Sequence, residues 1–155
     1  MNNNDILRRL RYAFHLNDTN MLELFAEGGA LIEKEQLKIW LKKEEDEGFQ
    51  AIYDKDLAAF LNGFIILKRG KREGELPNPE KSLNNNTIFR KLKIALSLKD
   101  EDILEILKLA DFKFSKHELS ALFRKPEQEQ YRVCKDQVLR NFLTGLQVKF
   151  HPNKD

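Results

Sequence analysis

The chain carries one pattern twice. Asn2-Asn3-Asn4, followed by Ile6, Arg8, Leu10, Ala13, Leu16 and Asp18, recurs as Asn84-Asn85-Asn86, followed by Ile88, Arg90, Leu92, Ala95, Leu98 and Asp100. The offset is 82 throughout. At the same offset Leu37, Trp40 and Leu41 meet Leu119, Leu122 and Phe123, and Leu57, Phe60, Leu61 and Gly63 meet Leu139, Phe142, Leu143 and Gly145. An ungapped register of this length marks a tandem duplication, and a duplication constrains architecture before any propensity is weighed. The copies span residues 2–69 and 84–150. Residues 70–83, with Gly70, Gly74, Pro77 and Pro79, read as a linker, and residues 151–155 as a tail.

Each copy is close to the smallest size at which a lone core suffices, so the two are expected to pack together. The 155 residues are 41% hydrophobic and 34% charged, the balance of a soluble, highly charged protein. No apolar stretch approaches the roughly 18 residues of a membrane span. The start of the chain lacks the basic-then-apolar pattern of a secretory signal. A single cysteine, Cys134, excludes an internal disulfide framework. Together these point to the cytoplasm. Net charge is +2, but residues 1–82 hold 13 Lys and Arg against 15 Asp and Glu, while residues 83–155 hold 14 against 10. The second copy is mildly basic, well short of the footprint of a dedicated nucleic-acid binder.

Periodicity predicts four helices per copy and an all-α fold of two tandem four-helix units. Helix A (5–16, echoed at 87–98) carries an apolar stripe through Ile6, Leu10 and Ala13. The Asn run supplies its N-cap. Its arginines, Arg8, Arg9 and Arg11, fall off the stripe and are expected in solvent. Helix B (19–27, echoed at 101–109) is expected to be capped by Asp18 and Asp100, and Gly28-Gly29 can end its first version. Helix C (34–44, echoed at 116–124) has Ser115 and Glu118 at capping-box spacing, with Pro126 as a stop for the second version. Helix D (55–68, echoed at 137–149) is apolar on most sides and therefore buried. The two D helices are expected at the centre of each bundle and at the contact between copies. Gly63 and Gly145 sit inside helix D, where a glycine costs about 1 kcal/mol against alanine. Their recurrence points to a close helix–helix approach.

Catalytic and metal chemistry find little footing. His15, His117 and His151 have no partner at i+4, and Cys134 has no second cysteine. Cys134 stands where the first copy has Ile52, which reads as a small buried hydrophobe rather than a nucleophile. Glu44-Glu45-Asp46-Glu47 lacks the alternation of a calcium loop. No phosphate-binding glycine motif is present. The chain is therefore read as a non-enzyme, with no cofactor, metal or small-molecule substrate. The leading expectation is a helical module for a protein partner or self-association. The alternative is a nucleic-acid-binding regulator using helices B and C of the second copy as a helix-turn-helix. The candidate contacts are Arg8, Arg11, Arg90 and Lys93 on helix A, and Lys116, Arg124 and Lys125 on helix C of the second copy.

The segments NNDILRRLRYAF (3–14), LKKEEDEGF (41–49), FLNGFIILKRGK (60–71) and NNNTIFRKLKIALSLKDEDILEIL (84–107) resemble the YehS-like family. These are bacterial proteins of about this length with a duplicated domain of unknown function. The resemblance implies two related helical repeats and a cytosolic location. It implies no activity, cofactor or catalytic residue.

Overall fold

Each asparagine of the repeated triplet has its own task. Asn2 accepts from the Asp5 amide (2.7 Å) and Asn84 from the Thr87 amide (2.8 Å), so the first of each three is the N-cap. The second ties down the start of helix D. Asn3 donates to the Ile52 carbonyl and Asp54, and Asn85 donates to the Cys134 carbonyl and Asp136. The third is buried. Asn4 donates to the Trp40 and Gln50 carbonyls and accepts from the Ile52 amide. Asn86 does the same with Leu122, Arg132 and Cys134. One amide side chain thus satisfies three backbone groups, one at the end of helix C and two in the irregular stretch leading to helix D.

The computed structural model describes residues 1–70 and 78–152. Within them the chain is all helical, without strands. The elements are α1 Asn3–Ala13, α2 Asp18–Glu27, α3 Lys34–Trp40, α4 Asp54–Arg69, α5 Asn85–Ala95, α6 Asp100–Leu109, α7 Lys116–Leu122 and α8 Asp136–Phe150. Each helix of the second copy begins 82 residues after its counterpart. Residues 71–77 of the expected linker and 153–155 of the expected tail lie outside the described residues.

Several ends differ from the sequence expectation. Helix A stops at Ala13 and Ala95 because His15 (φ 52°) and Ser97 (φ 53°) turn left-handed, and the amides of Leu16 and Leu98 return to the carbonyls of Arg11 and Lys93. Asp111 (φ 56°) repeats the turn that Gly29 (φ 96°) makes in the first copy, as a short polar side chain can. Helix C stops at Trp40 and Leu122, before Lys42 and well before Pro126. There the Lys43 amide is taken by Asp46 and the Lys125 amide by Gln128, which draws the backbone away from the helix. Asp18 and Asp100 are first helical residues rather than caps. Asn17 caps α2, and Asp102 accepts from the Lys99 amide at α6. The Ser115–Glu118 capping box is present.

Within each copy the helix B–helix D crossing is set by glycine. A Cβ on Gly63 would lie 1.8 Å from the Leu24 carbonyl oxygen, and one on Gly145 would lie 2.0 Å from that of Ile106. Between copies, α1 packs on α8 and α5 packs on α4. The expected D-on-D contact is thus replaced by a reciprocal exchange, in which helix A of each copy lies on helix D of the other. Phe14 shows the join, its ring 5.0 Å from Phe64 of its own copy and 5.2 Å from Phe150 of the other. Buried side chains of both copies form one continuous core, and burying a side chain such as Leu10 or Phe142 contributes about 1.5–3 kcal/mol.

Candidate functional site

The seven basic residues singled out in the sequence do not gather. Arg8 pairs with Asp5 and donates to the Lys42 carbonyl (2.7 Å), and Arg11 pairs with Asp18 at 2.7 Å. That hydrogen bond holds the Asp18 carboxyl below its ordinary value. Lys93 repeats the pairing with Asp100 (3.4 Å) and lies 4.3 Å from the centre of the Phe123 ring. Arg8, Arg9 and Arg11 are half-buried, not solvated as their place off the apolar stripe suggested. Arg90 and Arg124 are half-buried, Lys125 is exposed, and Lys116 faces Glu101 at 3.9 Å. The would-be reading helix α7 has two turns, and Glu118 sits in its first.

Two features stand out instead. The first is a cleft of about 360 Å³ between α1 and α8, lined by Met1, Asp5, Arg8, Arg9 and Arg140. Arg9 reaches across the copies to the Thr144 hydroxyl at 2.5 Å. Burial, then the neighbouring Arg140, lower its pKa, and Asp5 opposes them. Neither Arg9 nor Arg140 was among the sequence candidates. The available signal was that Arg140 replaces Ala58, yet no helical stripe shows that α1 and α8 meet.

The second is a groove of about 610 Å³ beside α6. Leu104, Phe112 and Phe114 give it apolar walls, with the two rings 5.7 Å apart. Glu105, Lys108 and Asp111 edge it. The first copy has Leu22, Ala30 and Ile32 at the wall positions, so the aromatic groove belongs to the second copy alone.

Cys134 is buried, and desolvation pushes its thiol up to about 12. Among the described residues no three His, Cys, Asp or Glu side chains converge as a metal site would require. No helix among them is long and apolar enough to cross a membrane.

The paired bundles, the exchanged A helices and the twice-used asparagine triplet define a class of duplicated all-helical proteins. The chain belongs to the family described as "Protein of unknown function (DUF1456)", which matches it at residues 3–70 and again at 85–151. It is 44% identical, over 99% of both chains, to "Uncharacterized protein YehS" of Escherichia coli (strain K12). No solved structure matches it.

Proposed function

We propose that the chain is a non-enzymatic, cytoplasmic interaction module that receives an amphipathic segment of a protein partner in the groove beside α6. The observation that carries this is the pair Phe112 and Phe114, walling an apolar trough whose edges bear both charge signs. An amphipathic helix presents such a surface, with an apolar stripe flanked by polar residues, and helix-in-groove docking is a recurrent mode of recognition. The polar residues common to both copies support the reading, because Asn4, Asn86, Asn3 and Asn85 are engaged in holding the fold.

Affinity capture from cell extract with the wild type and with a Phe112→Ser/Phe114→Ser variant tests it. The expected result is a captured protein lost in the variant while its circular dichroism stays native. Identical capture by both chains would overturn the reading.

The nucleic-acid reading draws on Lys116, Arg124 and Lys125, with Glu101 and Glu118 close by as opposing charges. Fluorescence anisotropy with DNA and RNA at two salt concentrations separates it from the first. Phosphate contacts give an affinity that falls steeply with salt, and Arg124→Ala and Lys125→Ala would then weaken it.

A further inference from the structure

We infer that the cleft between α1 and α8 is an oxyanion site, taking a phosphate group between Arg9 and Arg140, either as the free ion or as a phosphomonoester. This rests on observations separate from the groove beside α6.

The two copies differ at one point that carries the inference. In the second copy Lys91 of α5 reaches across to the Asn62 side-chain oxygen at 2.6 Å, and Glu80 neutralises it at 2.9 Å. In the first copy the equivalent Arg9 reaches across to Thr144, the equivalent of Asn62. There, however, the added neighbour is a second cation. Arg140 occupies the place of Ala58 and lines the cleft beside Arg9. Asp5 lines the same cleft, but Arg8 and the Asn2 amide already engage its carboxylate. Among the described residues no carboxylate forms an ion pair with Arg9 or Arg140.

The connection between the copies thus sets a carboxylate against Lys91, whereas Arg9 and Arg140 face one cavity. The carboxylates that act on them, Asp5 and Asp136, are already held by other donors. Holding like charges together in a partly desolvated cleft is costly unless an anion joins them. Burial and Arg140 both work against the charge on Arg9, in keeping with that cost. Guanidinium forks match the oxygen geometry of phosphate and donate charge-assisted, bidentate hydrogen bonds to it. At about 360 Å³ the cleft has room for an ester group beyond the phosphate itself.

Isothermal titration with inorganic phosphate and with O-phosphoserine, at ionic strength held constant with chloride, tests the site on the intact chain. Both ligands are expected to bind the wild type. Tighter binding of phosphoserine assigns the site to an esterified phosphate, and tighter binding of inorganic phosphate assigns it to the free ion. Arg140→Ala, which installs the residue found at the equivalent position 58, should weaken phosphate about tenfold, the loss of one charge-assisted contact. Arg140→Glu supplies an internal carboxylate, as Glu80 does for Lys91, and should abolish binding. Circular dichroism confirms that each variant is folded. No heat beyond the chloride control, or unchanged affinity in both folded variants, overturns the site.

Discussion

The Arg9 guanidinium of α1 donates to the Thr144 hydroxyl of α8 at 2.5 Å, across 135 residues of chain. Its image is Lys91 of α5 on Asn62 of α4. Each bundle is therefore completed by a helix from its twin, and helix A of each copy packs more extensively on the other copy's helix D than on its own. Opening the chain within residues 71–77 should leave each half with an uncovered apolar face. The isolated first half is expected to lose most of its helix signal or to self-associate, and mixing the halves should restore the native spectrum. Circular dichroism with size exclusion reads both. A monomeric, fully helical first half would refute the exchange.

The asparagine triplet should show position-specific costs. Asn4→Ala leaves the Trp40 and Gln50 carbonyls and the Ile52 amide without their partner. Unsatisfied buried groups cost about 1–3 kcal/mol each, and two of these three bonds are buried, so a total loss of about 3 kcal/mol is expected. Asn86→Ala should match it. Asn84→Ala removes only an exposed cap, worth about 1 kcal/mol. Urea unfolding followed by Trp40 fluorescence ranks the three.

Alanine at Gly63 or Gly145 should destabilise, although it improves helix propensity by about 1 kcal/mol. The new methyl would meet a backbone carbonyl at 1.8 or 2.0 Å, and a carbonyl moves only if its whole helix moves. Overpacking of this kind costs about 1–3 kcal/mol, so the net sign is a loss. A thermal melt of Gly63→Ala that matches or exceeds the wild type would show the helices to be farther apart.

Cys134 should be inert in the native protein. Its thiol, ordinarily near 9.0, is pushed up to about 12 by burial, which lowers the thiolate fraction at pH 8 by about a thousandfold. Labelling with a chromogenic disulfide should wait for unfolding by urea. Stoichiometric labelling within seconds under native conditions would contradict its placement.

The Arg11–Asp18 pair predicts a modest acid sensitivity. Hydrogen bonding by Arg11 lowers the folded-state pKa of Asp18 from 3.8. Its contribution is therefore present above that unfolded value and is lost as pH falls through the depressed folded one. Asp18→Asn should lower the urea midpoint at neutral pH, and the gap to the wild type should close below pH 3.8. A gap that stays constant down to pH 2 would assign the effect to something other than this ion pair.

Of the candidate contacts, the sequence could mark Arg8, Arg11, Arg90 and Lys93 only as residues off an apolar stripe. Arg11 and Lys93 each found a carboxylate at the start of the next helix, seven residues on, because the left-handed turn at His15 and Ser97 folds the two helices together. A helical wheel contains no such turn. Arg140 stands out in the sequence only as a replacement of Ala58, for a related reason, since the Arg9 beside it belongs to the other copy.

The sequence alone determined the duplication, the all-helical class, the burial of helix D and the close approach at Gly63 and Gly145. These are local properties, since period, apolar content and a missing Cβ act within one or two turns of backbone. Tertiary structure alone decided which element covers which. An amphipathic stripe such as Ile6, Leu10 and Ala13 demands an apolar partner, yet helix D of either copy could provide one. That choice, together with the tasks of Asn3 and Asn4 and the meeting of Arg9 with Arg140, depends on how two near-identical bundles dock, and docking is a property of surfaces far apart in the chain.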